Sequence, residues 1–279
     1  MGAYLIFAFS AMLRAAYMIS VCILAKNSEL TIGKTLASVS RFPEVIVLDN
    51  GSTDDTIQMA QSFPNVRVLE TIFSGFGPLR NEAASHASND WILALDTDET
   101  LSLALLAEIE ELELSEDTVY SMPRDNYYNG KHIKGCGWHP DRVIRLYHRK
   151  KTGYSDAAVH ESVMTDRVQV RCLEAPLLHT PFRTTADFLA KMQNYSTLYA
   201  MQHGKVRKSS LTKAFFHSLF TFFRCYFFQR GFILGAEGFI VSLYNSNTVF
   251  YKYLKLWEVS CAHALDDPLF PVPSESKED

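Results

Sequence analysis

The sequence lacks the signatures of several protein classes. Its five cysteines are scattered and form no Cys-x-x-Cys pair, which argues against a disulfide framework and a zinc site. The net charge of −4 gives no reason to expect a nucleic-acid partner. No Gly-x-Gly-x-x-Gly follows the first β-rich segment, so the dinucleotide fingerprint is absent. With 279 residues and 47% hydrophobic content, the chain suits one large α/β domain with an appendage.

The amino terminus has no hydrophobic run long enough to span a membrane. Residues 4–13 are apolar, but ten residues are too few, and no basic segment precedes them as in a signal peptide. Met18 stands directly before the first β-rich segment. We therefore treat residues 1–17 as a doubtful extension and Met18 as the expected functional start, with a cleaved leader as the alternative.

Apolar runs and helical patterns alternate through the first part of the chain. The runs cover residues 19–24, 44–48, 66–69 and 91–95, and helices are predicted at 30–40, 56–63, 79–87 and 101–112, with a glycine loop at 75–78. Near-continuous apolar strands in a β-α-β order indicate a mostly parallel sheet with helices on both faces. The predicted fold class is therefore α/β and Rossmann-like, with a carboxyl-terminal helical appendage.

The run that begins at Trp91 ends abruptly in Asp96, Asp98 and Glu99. Ligands of open α/β sheets bind at the carboxyl ends of strands, which is where these acids are expected to lie. Crowded carboxylates repel one another and stay ionised only beside a cation, so a divalent metal holding a polyphosphate fits. A strand followed by a polar turn gives the same pattern, so this motif does not decide by itself.

Three arginines are candidates for binding anions. Arg80 can form a fork with a diphosphate, or it can lie on a solvated helix face. Arg142 and Arg145 alternate with Val143 and Ile144, so we expect the two arginines to share one face of a strand. There they can bind an anionic acceptor substrate, or they can simply be solvated. They belong to a region of short β-like pieces separated by Gly and Pro turns, at residues 119–179.

The last third of the chain is basic and aromatic. Lys205–Arg230 contains six cations and no Asp or Glu among many phenylalanines. This pattern is typical of a helix that lies in a membrane interface, although a helix buried against a partner is the rival interpretation. The apolar segment that follows carries Glu237, Asn245 and Asn247, unlike a spanning helix.

Four segments in order resemble family 2 glycosyltransferases of the GT-A fold: residues 19–27, 44–56, 75–81 and 91–99. Three later segments look like the subgroup that glucosylates the inner core of bacterial lipopolysaccharide. They are residues 141–147, 159–161 and 251–258. The chain departs from the family at Ala25-Lys26, where Thr-Tyr is common, and at Leu234, where an acid is usual; both differences concern the acceptor more than the chemistry.

The resemblance implies a GT-A domain at residues 18–183, with a nucleotide-binding half at 18–115 and an acceptor-binding half at 116–183. It also implies a helical, membrane-associating region at 184–267 and a polar tail at 268–279. The implied enzyme is an inverting glycosyltransferase that moves a hexose, glucose in our prediction, from a UDP-sugar to a lipopolysaccharide or lipooligosaccharide core or related glycolipid. It would be cytoplasmic, and peripheral on the inner leaflet of the cytoplasmic membrane through Lys205–Arg230, with no nucleic-acid partner.

The resemblance also assigns roles at the donor side of the site. Asp98 would be the direct ligand of a divalent metal, Mg²⁺ or Mn²⁺, and His179 an additional ligand, with a structural histidine as the alternative. Asp96 would contact the ribose or reach the metal through water. Asp49 would hydrogen-bond the uracil or ribose; a helix N-cap is its alternative, although Ser52, Thr53 and Asp54 suit that role better.

On the acceptor side, the resemblance makes Glu161 the general base of a single inverting displacement, with His160 as the second choice. Other functions remain open at this point. The chain can be a polyprenyl-phosphate hexosyltransferase, although that subgroup often has clear spanning helices. It can also be a non-catalytic GT-A-like protein that binds nucleotide-sugars, and a nucleotidyltransferase is conceivable from the α/β layout alone.

Overall fold

The computed structural model describes residues 14–156, 161–204 and 207–265. The chain divides into two compact units. The first unit draws on Met1–Asn126 and Pro140–Pro181, and the second on Tyr127–His139 and Phe182–Asp279. The segment Tyr127–His139 therefore groups with the carboxyl-terminal helices, although it lies much earlier in the chain.

Four parallel strands form one side of the sheet in the first unit. They are β1 (Ile19–Ala25), β2 (Glu44–Asp49), β3 (Val66–Glu70) and β4 (Trp91–Asp96), in the order β3-β2-β1-β4. Alternate side chains of β1 enter different apolar clusters, with Val21 and Ile23 on one face and Cys22 on the other. Both faces of the sheet are thus buried, and the predicted α/β fold class is confirmed.

The helices of the first unit follow the strands. The glycine loop expected at 75–78 is shorter than predicted, because a helix begins at Phe76 after Gly75, which has a φ of 119°. Pro78 is tolerated there because a first-turn residue needs no intrahelical donor. The helix expected from residue 101 begins at Leu103, where the Ser102 hydroxyl accepts a hydrogen bond from the Leu105 N–H. The helices are α1 (Arg14–Tyr17), α2 (Ile32–Ser38), α3 (Thr56–Gln61), α4 (Phe76–Ser85) and α5 (Leu103–Glu110).

Antiparallel pairings extend the sheet beyond β4. The further strands are β5 (Glu99–Leu101), β6 (Thr118–Tyr128), β8 (Arg142–His148), β9 (Gln169–Cys172) and β10 (Leu177–Phe182). β8 pairs antiparallel with both β4 and β6, and β10 pairs antiparallel with β5. The register places His179 opposite Glu99, so β10 runs alongside the acidic turn that follows β4.

The second unit is mainly helical. Its Tyr127–His139 segment contains β7 (Lys131–His132) and is tied to the helices by hydrogen bonds such as Asn245 Nδ2 to the Cys136 carbonyl at 2.9 Å. Thr184 is the N-cap of the first of these helices and forms a capping box with Asp187. Among the described residues, no helix has the length and apolar character needed to cross a membrane. The helices are α6 (Thr185–His203), α7 (Leu211–Phe223), a π-helix (Arg224–Phe228), a 3₁₀ helix (Gly231–Leu234) and α8 (Ala236–Leu265).

Candidate active site

The acids singled out in the sequence gather at one edge of the sheet. In the parallel register Ala25 of β1 pairs with Asp49 on one side, and its neighbour Leu24 pairs with Asp96 on the other. Both acids end their strands, so they flank the carboxyl end of β1. The carboxyl edge of β1, β2 and β4 therefore carries the candidate site, where open α/β sheets place their ligands.

Asp49 organises the loop that follows β2. It is 1% exposed, and its Oδ2 accepts hydrogen bonds from the backbone N–H groups of Gly51 at 2.9 Å and Ser52 at 2.8 Å. The Ser52 hydroxyl also donates to Asp49. Asp55 precedes α3 and makes no side-chain capping bond, but the Oδ1 of Asp54 accepts from the N–H of Thr56, the first residue of the helix, at 3.1 Å.

Asp96 lies between two buried arginines. Its Oδ1 accepts from Arg80 Nη2 and its Oδ2 from Arg145 Nη2, both at 2.6 Å. Burial alone would raise the pKa of Asp96, but the charges of Arg80 and Arg145 outweigh it and hold that pKa well below its usual range. The carboxylate is therefore fixed in its ionised form, while about a third of the side chain remains exposed at the edge of the site.

Glu99 is an acid whose role sequence reasoning missed. It is fully buried, and its Oε1 accepts from Arg145 Nη2 at 2.6 Å and from Arg124 Nη1 at 3.2 Å. Its Oε2 accepts from the backbone N–H of Asp96 at 3.1 Å. Glu99 thus fixes both the turn after β4 and the arginine that holds Asp96. The one indication of this role in the sequence is that Glu99 is the third acid after the apolar run that begins at Trp91.

Asp98 and His179 lie side by side. The turn after β4 carries Asp98, and its carbonyl accepts from the Thr180 N–H at 3.0 Å, which brings the neighbouring His179 alongside. The Nε2 of His179 lies 3.4 Å from the Asp98 Oδ2, and the two side chains are 9% and 26% exposed. One carboxylate oxygen and one imidazole nitrogen at this spacing are the ligand types that fit a divalent cation such as Mn²⁺ or Mg²⁺.

Arg80 also holds Glu161. The guanidinium Nε donates to Glu161 Oε1 at 3.0 Å, and Arg80 is only 4% exposed. Burial opposes the charge, but Asp96 and Glu161 hold the pKa of Arg80 above its usual range. The guanidinium is thus already paired with two protein carboxylates, in place of the free fork or the solvated face considered from the sequence. His160 lies outside the described residues.

The two arginines of β8 do not act as a matched pair. Arg142 is exposed, and its Nη2 donates to the carbonyls of Ser121 at 3.1 Å and Leu173 at 2.7 Å. Arg145 is 6% exposed, and its contacts are with Asp96 and Glu99. A shared face does not follow from their spacing, because residues three apart in a regular strand point to opposite faces. The strand is also irregular here: Ser121 pairs with Ile144 and Tyr120 with Leu146, so Arg145 is the extra residue of a β-bulge.

Comparison with known proteins places this site in a family. The family model described as glycosyl transferase family 2 matches residues 20–169, more than half of the chain. The chain therefore belongs to glycosyl transferase family 2, as its resemblance predicted. Since the family transfers sugars from activated donors, the protein is a nucleotide-sugar-dependent glycosyltransferase with a GT-A-type α/β domain.

Two relatives cover most of the chain. An uncharacterized glycosyltransferase of Rickettsia typhi is 28% identical over 258 residues, which are 87% of this chain and 87% of that protein. The lipopolysaccharide core biosynthesis glycosyltransferase LpsC of Rhizobium meliloti is 27% identical over 263 residues, covering 88% and 93% of the two chains.

Solved structures give weaker likenesses. S. aureus TarS 1-349 in complex with UDP-GlcNAc is 17% identical, with a TM-score of 0.44 over 89% of this chain and 92% of that chain. Glucosyl-3-phosphoglycerate synthase from Mycobacterium tuberculosis, in complex with Mn²⁺, UDP-glucose and phosphoglyceric acid, is 28% identical, with a TM-score of 0.33 over 42% and 47%. Both TM-scores are below 0.5, so the assignment rests on the family model.

Proposed function

We propose that the protein is an inverting, metal-dependent hexosyltransferase. It moves glucose from UDP-glucose to a lipopolysaccharide or lipooligosaccharide core, or to a related glycolipid. The observation that carries the proposal is the carboxyl-edge cluster, in which the Asp98–His179 pair lies beside the fixed carboxylate of Asp96. The similarity to LpsC supports the acceptor class.

On the donor side, Asp98 and His179 would hold Mn²⁺ or Mg²⁺, and the metal would supply neutralisation of charge on the leaving diphosphate. Asp49 contacts the uracil or the ribose. Asp96 contacts the ribose, or reaches the metal through water. Arg80 and Arg145 act on the donor through Asp96, because their hydrogen bonds hold that carboxylate ionised and in one orientation.

On the acceptor side, Glu161 takes the proton of the attacking hydroxyl, and a single direct displacement inverts the configuration at the sugar carbon. Its Oε1 accepts from the same guanidinium that holds Asp96, which supports its position next to the donor. His160 is the alternative base. The exposed Arg142 contacts an anionic group of the acceptor, and residues 18–115 and 116–183 serve as donor and acceptor halves.

Residues 205–230 dock on the inner face of the cytoplasmic membrane, which makes the protein cytoplasmic and peripheral. Phe215, Phe216 and Phe220 of α7 are 54%, 60% and 62% exposed, whereas Ala214 and Thr221 are buried. One side of the helix thus packs and the other presents aromatic rings. Interfacial helices combine such rings with basic residues. Within the described part of this segment, residues 207–230, the exposed cations are Arg207, Lys208, Lys213, Arg224 and Arg230.

A panel of nucleotide-sugars tests the donor assignment. Binding of UDP-glucose, GDP-mannose and UDP-GlcNAc is measured by calorimetry with and without Mn²⁺, followed by transfer to lipopolysaccharide core or to polyprenyl phosphate. The proposal expects UDP-glucose to bind with Mn²⁺ and the core to be glucosylated. Transfer to polyprenyl phosphate would replace the acceptor assignment. Donor binding without any transfer would identify a nucleotide-sugar-binding protein instead.

A further inference from the structure

Asn126 lies between His179 and a second acidic residue. Its Oδ1 is 2.6 Å from His179 Nδ1, and its Nδ2 donates to Asp141 Oδ2 at 3.1 Å. Both Asn126 and His179 are buried. The Asp141 Oδ2 also accepts from Arg124 Nε at 2.8 Å. A continuous chain of polar contacts therefore runs from Arg124 to the imidazole of His179.

The partners of Asn126 fix the orientation of its amide. A carboxylate oxygen that receives two donors acts as an acceptor, so Asn126 must turn its NH₂ group towards Asp141. The amide oxygen then faces His179. The orientation of an amide is assigned from such a hydrogen-bond network, and the contacts of Asn126 with Asp141 and His179 both fit this orientation. Because the amide oxygen can only accept, His179 Nδ1 must carry the proton.

In the neutral ring, a proton on Nδ1 leaves a lone pair on Nε2. That lone pair faces the Asp98 Oδ2 at 3.4 Å, which is also an acceptor. Two acceptors at this separation repel each other unless a cation lies near both or Nε2 takes up a second proton. With the other tautomer, Nε2 would donate to Asp98, and the imidazole would have no lone pair for a metal.

We propose that Asn126, held by Asp141, is a positioning residue that sets His179 in the Nδ1–H tautomer and so reserves Nε2 for a metal ion. The inference rests on the proposed metal role of Asp98 and His179, and it adds the two residues that prepare that site. Residues that accept a hydrogen bond from the other ring nitrogen of a metal-bound histidine act in this way, and their loss weakens metal affinity by about 10–100-fold.

The tautomer is read in the metal-free protein, independently of activity. Nitrogen-15 NMR of the histidine rings, recorded at a pH high enough for the imidazole to be neutral, separates protonated from unprotonated ring nitrogens. His179→Gln assigns the signal. We expect Nδ1 to be protonated in the wild type, and Asn126→Leu to give a mixture of tautomers. A wild-type signal with the proton on Nε2 would overturn the proposal.

The metal arm measures Mn²⁺ affinity by calorimetry in the presence of UDP. Asn126→Leu should weaken Mn²⁺ binding by about 10–100-fold. The exchange variant Asn126→Asp with Asp141→Asn should recover most of the affinity, because it keeps the charge and an oxygen acceptor for Nδ1–H. Asn65→Leu is the matched control, since the Asn65 amide donates to the carbonyls of Val39 and Phe42.

The outcomes separate the proposed metal role of Asp98 and His179 from the proposed positioning role of Asn126. No Mn²⁺ binding by the wild type would refute the metal role in the proposed function. Normal wild-type binding with unchanged affinity in Asn126→Leu would refute the positioning role alone. An equal loss in Asn65→Leu, or no recovery in the exchange variant, would also overturn the inference, because a general loss of stability would then account for the effect.

Discussion

Replacing Arg80 by methionine should destabilise the first unit in a pH-dependent way. Arg80 is buried and donates to Asp96 Oδ1 at 2.6 Å and to Glu161 Oε1 at 3.0 Å. Methionine keeps the apolar stem but leaves both carboxylates without this partner. Removing one member of a buried ion pair costs about 3–5 kcal/mol. Since Asp96 keeps Arg145 and is 34% exposed, we expect a smaller loss, about 2–4 kcal/mol after this discount.

The sign of the pH dependence follows from the lowered pKa of Asp96. A carboxyl whose pKa is lower in the folded than in the unfolded state contributes stability above its unfolded pKa of about 3.9. This contribution is lost as the pH falls below the unfolded pKa and through the lower pKa of the folded state. In Arg80→Met the folded pKa rises towards normal, so acidification costs the variant less. The difference in stability between wild type and variant should therefore be largest near neutral pH and narrow in acid.

Urea or thermal denaturation at neutral and acidic pH measures this difference. For a domain of 150–250 residues, 2–4 kcal/mol corresponds to a Tm decrease of roughly 4–16 °C. Arg41→Met is the matched control, because Arg41 is 65% exposed and pairs with Glu110 at 3.3 Å; such a surface pair contributes about 0–1 kcal/mol. The reasoning would be refuted if Arg80→Met were as stable as Arg41→Met. It would also be refuted if the difference in stability between wild type and Arg80→Met did not narrow on acidification.

Two further predictions concern catalysis and the membrane. Glu161→Gln should leave UDP binding intact and lower the transfer rate by about 10²-fold or more, since an amide cannot take the acceptor proton; wild-type rates would exclude Glu161 as the base. Phe216→Ser with Phe220→Ser should weaken binding to anionic vesicles by about tenfold or more in co-sedimentation, because inserting one Phe contributes about 1.5–3 kcal/mol. Replacing Lys205, Arg207, Lys208 and Lys213 by Ser should release the protein as well, and unchanged sedimentation of both variants would reject the membrane interpretation.

The strands of the parallel sheet could be predicted closely from sequence. Each is a short apolar run bounded by turn formers, and each of the four strands extends one residue beyond the predicted run. Such strands are buried on both faces, so the local pattern carries almost all the necessary information. The short strand β5 was missed because Leu101 continues smoothly into the leucine-rich pattern of α5. Its pairing with β10 depends on residues far along the chain.

The site could be predicted only in part. Asp96 and Asp98 stand out locally, since three acids follow an apolar run. The burial of Arg80 could not be predicted, because its partners Asp96 and Glu161 lie 16 and 81 positions away in sequence. On a helix, an isolated arginine gives the same pattern whether it is solvated or paired. The burial of Arg145 could not be predicted for the same reason, because its partners Asp96 and Glu99 lie 49 and 46 positions away in sequence.

UDP release from UDP-glucose in the presence of Mn²⁺ tests the central claim most directly, with Asp98→Ala compared to the wild type. Asp117→Ala is the control, because Asp117 is 74% exposed and pairs with Lys151 at the surface. The metal–diphosphate assignment predicts release by the wild type and by Asp117→Ala, no release by Asp98→Ala, and none by any of them in EDTA. This assignment would be contradicted if Asp98→Ala kept its Tm and released as much UDP as the wild type. Undiminished UDP release in EDTA would also contradict it.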